Sequence, residues 1–566
     1  MSDVIAAVLT QEPEPLSRHN KEVVPGLEQV ILKCLAKERG QRFQTADDFA
    51  AALKTAKQDG VTTGDVRRSF FRSRLVWLVS AIAVLLIAAV AYWKPQPKAA
   101  PEPQVRSLAV LPLENLSGDP AQEYFSDGMT ESLINNLAQI RALRVISRIS
   151  VMRFKGSRKP LPEIAHDLNV DAVITGSVQS AGRRVKITAQ LIQAATDTHL
   201  WAGDYDGEMA DVLKLQSEVA RAVANEIRVQ VTAEERTRLA GARRVNPEAH
   251  EAYLLGRYHG HKWNENDLRE AIAYFEHAIQ IDPDYAAAWA GLSDAWRQRG
   301  IWGDKRFREV EAPSRNAALK AVKLDANLAE AHIALSYVKN SYDTDWLGSE
   351  EEARRALELD PGNLDAHYAY GNLLMGLGRH DEAIREMQSA ERLDPLSSGT
   401  QSTLGRVLYR ARRYAEAEPH LKRAIELDPQ NYGAYGRLGD LYEQMGRYPE
   451  AIANLEKSDA MRNGGRGLGY RARLARVYAV MGRQDEARRM LEKMKATTAP
   501  DRLPSISLAA AYAALGDKDE AFKVLFRLID ERNNLILFIK EDPPLNNLHS
   551  DPRWKEVLRR LNFPAE

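Results

Sequence analysis

The chain has 566 residues, 44% of them hydrophobic and 28% charged, which is too long for a single hydrophobic core. Its 78 Lys plus Arg balance 78 Asp plus Glu, so a formal net charge of zero argues against a nucleic-acid binder or a polyacidic tail. The one cysteine, Cys34, excludes an intramolecular disulfide.

Residues 1–60 form the first unit. Leu27 to Leu35 and Thr45 to Ala56 have the apolar periodicity of two amphipathic helices joined by 36–44. Thr45 is placed to cap the second, with Asp48 where a capping box carries Glu or Gln. Two such helices bury little and are marginal unaided. The stretch VPGLEQVILKCLAKERGQRFQTADDFAAALK resembles the last two helices of a bacterial Ser/Thr protein kinase catalytic domain. The resemblance implies a structural role for Arg42 and an inward-facing, small-core role for Cys34. The glutamate that Arg42 would meet is absent, as are the Gly-rich loop, the ATP-anchoring lysine, the catalytic aspartate motif and Asp-Phe-Gly, so nothing here positions phosphates. A relic, a docking module and the visible end of a longer kinase all remain open.

A basic juxtamembrane segment, 61–74, comes next. Leu75 to Trp93 then carries no formal charge, and at 1.5 Å per residue it spans about 28 Å, close to a hydrocarbon core of ~30 Å. A transmembrane helix is expected over 75–93. Arg67, Arg68, Arg72 and Arg74 precede it against Lys94 and Lys98 after it, which places the N-terminus in the cytoplasm and the C-terminal domains in the periplasm or otherwise outside. The expected location is the inner (cytoplasmic) membrane of a bacterium, single-pass, with the lipid bilayer as a partner through 75–93. Residues 94–104 are proline-rich and predict a semi-extended linker.

Residues 105–232 alternate short apolar strands with helices and predict a small α/β domain. Ser107 to Leu113 is a strand candidate despite Pro112, and Phe125 to Ile140 a helix with a stripe of Met129, Leu133, Leu137 and Ile140. Leu143 to Ser147 and Asp171 to Val178 are strand-like, and Leu161 to Leu168 is a short helix. Arg183 to Gln193 alternates with Val185, Ile187, Ala189 and Leu191 on one face, and Thr198 to Tyr205 can pair with it. A long helix from about Met209 to Val231 closes the domain. Asp119, Glu123, Ser126, Asp127 and Thr130 before and within the first helix are expected to be caps rather than an acid–base or metal cluster. Gly176 marks a close approach of neighbouring backbone. The run LAVLPLENLSGDPAQEYFSDGMTESLINNLAQI together with DAVITGSVQ resembles the amino-terminal domain of TolB. That resemblance implies a periplasmic-type protein-contact domain.

After a connector at 233–248, Asp360-Pro361, Asp394-Pro395 and Asp428-Pro429 recur every 34 residues, the period of a helix-turn-helix solenoid. The phase of Gly371, Ala383, Gly405, Ala417, Gly439, Ala451, Gly482 and Gly516, with interleaved Leu and Tyr, resembles tetratricopeptide repeats. About eight of them are expected over 249–533. Small residues permit close helix crossing, and the larger ones fill the wedges between hairpins. Residues 534–566 are outside the repeat: Trp554, Val557, Leu558 and Leu561 stripe one last helix, expected to cap the exposed end of the stack. The fold class is therefore multidomain, an α-solenoid preceded by a small α/β domain, one transmembrane helix and a short helical stub.

The first helices of such hairpins line a concave groove suited to an extended peptide or protein edge. Arg406, Arg437 and Arg473 are the candidate groove residues. No catalytic, cofactor-binding or metal-ligating set is legible: there is no nucleophile elbow, phosphate loop or ligand spacing, so an enzyme, a cofactor and a nucleic-acid partner are not expected. The leading expectation is a membrane-anchored scaffold or sensor that binds a protein or peptide in the groove. The alternative is the C-terminal portion of a receptor-like Ser/Thr kinase whose catalytic core is missing from this chain.

Overall fold

The computed structural model describes residues 16–18, 25–36, 39–41, 43, 45–58, 105–229, 231–240, 245–302, 305–461, 468–497, 505–532 and 534–564. The segments expected at 61–74, 75–93 and 94–104, and Arg42, lie outside the described residues. Among the described residues no helix is long and apolar enough to cross a membrane. The chain divides into two compact units, 1–102 and 103–566.

In the first unit, helix α1 (Pro25–Cys34) packs on α2 (Ala46–Gln58). Gly26 allows the approach, since a Cβ there would lie 3.2 Å from Ala56, and Val30 and Ala56 are buried. Thr45 caps α2 as expected, accepting from the Asp48 N–H at 3.2 Å while its hydroxyl donates to the Asp48 carboxylate at 2.7 Å. Cys34 is exposed, contrary to the inward orientation the kinase resemblance implied. Two helices bury one seam only, and Cys34 lies off it, as do the exposed Leu35, Phe49 and Leu53.

The second unit opens with a mixed sheet of order β3-β1-β4-β5-β6, with β2 also paired to β4. Its strands are β1 (Ser107–Val110), β2 (Glu114–Asn115), β3 (Arg144–Val145), β4 (Ala172–Ala181), β5 (Arg184–Gln193) and β6 (Thr198–Glu208). The strand expected at 107–113 stops at Val110, short of Pro112, which has no N–H for the ladder, and the separate strand β2 follows beyond it; both run parallel to β4. The alternation of β5 has the expected phase, with Val185, Ile187, Ala189 and Leu191 buried. Gly176 faces Ala189 on β5, and a Cβ there would collide with the Thr188 carbonyl. Helices α3 (Glu123–Ala138) and α6 (Val212–Glu226) close the core through Met129, Leu133 and Leu137 with Leu215, Val219 and Val223. Short helices α4 (Arg148–Met152) and α5 (Leu161–Leu168) complete the domain. The last long helix ends earlier than expected, at Glu226, because Arg228 adopts φ +54° and the Val229 N–H turns back to the Ala224 carbonyl at 3.2 Å.

Of the five polar residues read as caps, only Asp119 caps, accepting from the Ala121 N–H at 2.9 Å. Ser126 and Thr130 return their hydroxyls to carbonyls three and four residues back within α3. Glu123 and Asp127 both hold Lys155, at 2.7 and 2.6 Å. These residues tie α3 to the turn after α4 instead of starting the helix.

After α7 (Ala233–Ala240) come eight helical hairpins among the described residues. They are α8 and α9 (Pro247–Gly260, Glu265–Ile281), α10 and α11 (Ala286–Trp302, Phe307–Leu324), α12 and α13 (Ala329–Val338, Trp346–Leu359), and α14 and α15 (Leu364–Gly376, His380–Leu393). The array continues with α16 and α17 (Ser398–Arg410, Tyr414–Leu427), α18 and α19 (Tyr432–Gln444, Tyr448–Met461), α20 and α21 (Leu468–Val480, Gln484–Thr497), and α22 and α23 (Ile506–Ala514, Lys518–Asp530). The Asp-Pro turn sets the boundary twice over. Proline ends one helix, and the residue two places after it caps the next: Asn363, Ser397 and Asn431 accept from the N–H groups of Ala366, Thr400 and Ala434.

Gly371, Gly405 and Gly439 lie where the two helices of a hairpin cross; a Cβ on Gly405 would come within 2.7 Å of Leu421, and one on Gly439 within 2.7 Å of Leu455. Ala383, Ala417 and Ala451 are the buried residues opposite. Gly482 and Gly516 do different work from the crossing glycines. They sit in the turns at φ +81° and +78°, where the next N–H reaches back to the carbonyls of Tyr478 and Tyr512 at 2.9 Å.

His250 on α8 is 1% exposed, and its Nδ1 meets the Tyr285 hydroxyl at 2.8 Å. Burial pushes its pKa from 6.5 down to about 4. The unfolded chain therefore binds the extra proton between those values, and stability falls as the pH drops through that window. A loss of about 2 kcal/mol between pH 7 and pH 5 follows from the linkage relation. His332 opposes it: despite burial, the Glu352 carboxylate raises its pKa, so its stabilisation grows toward acid pH. Urea titrations of wild type and H250Q at both pH values separate the two. The wild type is expected to lose about 2 kcal/mol more than the variant, and equal losses would remove His250 as the cause.

Candidate functional site

The α/β domain is not a bead on a tether but is docked on the array. Gly128 on α3 leaves room for Leu254 of α8, and Leu254 belongs to the α/β core. Around this contact Glu131 binds Arg257, and it accepts from His261 at 3.3 Å with Arg148 at 3.6 Å. Burial works to raise the Glu131 pKa, but Arg257, His261 and Arg148 outweigh it and hold the carboxyl well below the usual range. A second anchor lies at Asp394, 0% exposed, whose Oδ1 accepts from the hydroxyls of Ser147 and Ser150 at 2.6 Å each and whose Oδ2 accepts from Thr400 at 2.9 Å. The Ser147 N–H donates to the Leu393 carbonyl at 2.7 Å, and the Arg153 guanidinium to the Leu396 carbonyl at 3.2 Å.

The chain after α23 also departs from the sequence expectation. Helix α24 (Pro552–Arg560) sets Trp554 and Val557, with Leu561 beyond its end, against the last hairpin, but the flanking segments run back across the array. The Arg532 guanidinium donates to the Tyr342 carbonyl at 3.2 Å and pairs with Glu311 at 2.6 Å. Leu537 and Phe538 pack against α14 and α16, with Gly376 giving the space. His380 meets Glu541 at 3.1 Å, and Arg410 meets Asp542 at 3.1 Å. Trp346 donates its indole N–H to the Leu561 carbonyl at 2.9 Å and stacks on Phe563 with centroids 4.7 Å apart. The C-terminal segment is thus more than a cap on the end of the stack: it partly fills the concave face and ties the end of the array to its second and third hairpins.

What it leaves is a cavity of about 290 Å³ in which Arg406, Arg437 and Arg473 come together. Three successive first helices each present a pair of residues one helical turn apart: Arg406 and Arg410 on α16, Arg437 and Asp440 on α18, Arg473 and Arg476 on α20. Tyr409, Tyr470 and Phe538 complete the wall, with Phe538 under Arg406 and Arg410 at 5.0 and 4.7 Å from its ring centre. Asp542 lines the cavity as well.

The charges do not balance. Arg476 is 3% exposed and bound to Glu443 at 2.9 Å and to Asp440 at 3.0 Å. Arg473 pairs with Asp440 at 3.1 Å. Arg406 and Arg437 have neutral partners: Asn372 accepts from Arg406 at 2.6 Å, and the Ser402 hydroxyl from Arg437 at 2.6 Å. Burial, then Arg437 and Arg410, lower the Arg406 pKa well below that of a free guanidinium; burial, then Arg473 and Arg410, do the same less strongly to Arg437. The Nε atoms of Arg406 and Arg410 are buried without a hydrogen-bond partner.

Farther along the groove the sign reverses. Asp294 on α10 and Asp365 on α14 lie there; Asp294 pairs with Arg297 at 2.5 Å, and the loss of solvation within the groove, with Asp294 adding to it, raises the pKa of Asp365. Glu330 on α12 is raised by burial too. The repeated arginines at the hairpin turns face elsewhere: Arg379, Arg413 and Arg483 each fork onto the glutamate three residues on, at 2.6 to 2.8 Å, and Arg447 divides its donors between Glu450 at 2.9 Å and Glu418 at 3.2 Å. Among the described residues no group of three or more His, Cys, Asp or Glu is placed to hold a metal ion.

Profiles described as tetratricopeptide repeat match residues 348–399 and 408–464, and a further one matches 262–285. The chain is similar to putative adenylate cyclase 3 of Rhizobium meliloti (strain 1021), 39% identical over 202 residues that make up 35% of this chain and 34% of that protein. It is also similar to the transcriptional regulator HilA of Salmonella typhimurium, 21% identical over 298 residues, half of each chain. The chain thus spans between a third and a half of the length of the curated relatives it matches. Among solved structures, Pseudomonas aeruginosa PilF aligns at 22% identity with a TM-score of 0.30, covering 41% of this chain and 98% of that one. YrrB, described as a TPR protein with an unusual peptide-binding site, aligns at 20% identity with a TM-score of 0.24, covering 33% and 88%. Residues 262–285, 348–399 and 408–464 are tetratricopeptide repeats, and they belong to an array of eight helical hairpins.

Proposed function

We propose that this chain is a protein-binding scaffold that grips an extended segment of a partner in the concave face of its repeat array. The observation that carries the reading is the cavity lined by Arg406, Arg437 and Arg473, in which two guanidiniums lack carboxylate partners. Groove-lining side chains that are buried, charged and incompletely paired are costly unless a ligand uses them. In this reading residues 75–93 cross the inner membrane, 94–104 space the array from it, and the TolB-like α/β domain and the repeats lie in the periplasm. The uncharged run and the arginines ahead of it support the span and its direction. The likeness to a putative adenylate cyclase supports placing such an array in a signalling protein.

Affinity capture from a bacterial envelope extract with the full chain, run beside the R437E/R473E double variant, tests the groove. Proteins retained by the wild type and lost by the variant are expected; identical sets would overturn the groove as the binding face. A reporter enzyme fused at the C-terminus and active only outside the cytoplasm tests the topology, and cytoplasmic activity would refute it.

A second reading, the C-terminal part of a receptor-like kinase, is favoured by one observation: Leu35, just after α1, and Phe49 and Leu53 on α2 stay exposed, as the end of a larger lobe would leave them. An in-frame kinase core upstream of the Met1 codon supports it, and an in-frame stop close upstream removes it.

A further inference from the structure

We propose that the arginine cavity takes the side-chain carboxylate of an extended, charge-bipolar peptide, with its acidic end on Arg406 and Arg437 and its basic end toward Asp294 and Asp365. This rests on the groove reading above and names the chemistry of its ligand.

Three observations converge. The first is charge. Five arginines, at 406, 410, 437, 473 and 476, face three carboxylates, of Asp440, Glu443 and Asp542, so the cavity holds a surplus of positive charge. The surplus sits on Arg406 and Arg437, which are bound to Asn372 and Ser402. An incoming carboxylate would find donors already oriented by those two neighbours, and charge-assisted bonds to a fixed guanidinium are about twice as strong as neutral ones.

The second is a resident template. The chain's own segment already lays a carboxylate on this cluster: Asp542 on Arg410 at 3.1 Å, four residues after Phe538 stacks beneath Arg406 and Arg410. A short stretch of irregular chain with an aromatic ring and an aspartate therefore fits one side of the cavity. The Arg406 and Arg437 side remains for a second carboxylate.

The third is the acidic stretch of the same groove. Asp294, Glu330 and Asp365 follow on α10, α12 and α14; Arg297 pairs with Asp294 at 2.5 Å, and the three carboxylates against that one guanidinium leave the stretch net acidic. A polyanion such as a nucleic-acid strand running along the groove would be repelled there, whereas a peptide with lysine or arginine at its far end is attracted. About twelve residues of extended chain reach from the first helix of the second hairpin, which carries Asp294, to that of the sixth, which carries Arg437. The 290 Å³ of space admits one or two side chains and no folded domain.

Selection of a random twelve-residue display library on the full chain reads this directly. The enriched peptides are expected to carry Asp or Glu toward one end and Lys or Arg toward the other. The R406Q/R437Q variant is expected to lower their affinity at least tenfold and to remove the acidic preference. It should fold, because it relieves mutual repulsion and removes no ion pair; a melting temperature at or above that of wild type checks this. Peptides with no acidic preference, or a preference that survives R406Q/R437Q, overturn the inference. Competition by inorganic phosphate stronger than by the same concentration of acetate would also overturn it, in favour of a phosphate site. D294K/D365K separates the two levels of the argument. Peptides indifferent to both double variants bind outside the groove, and the groove reading itself fails; peptides weakened by D294K/D365K but lacking acidic preference sink only the present inference.

Discussion

Replacing Asp394 by alanine is expected to cost about 3–5 kcal/mol and to release the α/β domain from the repeats. The carboxylate is wholly buried and accepts three hydroxyls, two from Ser147 and Ser150 of the α/β domain and one from Thr400 of the following hairpin. Hydrogen bonds to a charged acceptor are worth about 1.5–3 kcal/mol each, and removing the shared acceptor strands all three donors at once. Ser150 also accepts from the Leu396 N–H at 3.0 Å, so its position is coupled to the hairpin turn by a second bond. Asp394→Asn, which keeps the volume and one acceptor oxygen, is expected to lose less, about 1–2 kcal/mol. Equilibrium denaturation gives the energies, and limited proteolysis between 229 and 246 reports release of the domain. A D394A loss below ~1 kcal/mol would show that the Glu131 cluster alone holds the interface.

That residue also shows what sequence reasoning reaches and where it stops. Asp394 was legible as one of three Asp-Pro marks at a period of 34, and the period carried the hairpins with it because proline and an Asn or Ser cap enforce the same local turn each time. Its equivalents Asp360 and Asp428 stand in the same Leu-Asp-Pro setting, but Ser147 and Ser150, at the start of and within α4, reach Asp394. The partners of Asp394 lie about 245 residues earlier in the chain, and periodicity carries no information at that separation. The groove arginines lie between these extremes. Helical phase singled out Arg406, Arg437 and Arg473, and one further turn on the same helices would have added Arg410, Asp440 and Arg476. Phe538 and Asp542 were out of reach, since only the return of the C-terminal segment brings them to the cavity. The stripe of Trp554, Val557 and Leu561 was readable as a helix face, but a stripe says that something is covered and not that the flanking chain crosses to Trp346.

The crossing itself predicts the other large effect. Trp346→Ala is expected to destabilise the array by about 3–5 kcal/mol, the usual cost of emptying a buried tryptophan site. Trp346 is 2% exposed at the start of α13; it gives its N–H to Leu561 and stacks on Phe563 with rings 14° apart. Those contacts close a loop running from the third hairpin to the end of the chain, so their loss is felt far from Trp346. Phe563→Ala removes the stack alone, and Trp346→Phe removes the N–H donor while keeping most of the stack; each is expected to cost about 1–2 kcal/mol. A double-mutant cycle between W346A and F563A should return a coupling of about 1 kcal/mol. Additive losses would mean that the two rings are neighbours without mutual dependence. Because Phe538 and Asp542 ride on the segment that Trp346 pins at its far end, W346A is also expected to free Arg410 and to raise the affinity for acidic peptides selected on wild type. Unchanged affinity in W346A, measured under conditions where the variant is folded, would show that the segment around Phe538 is held by the α14 and α16 contacts alone and that closure of the array and occupancy of its groove are separate events.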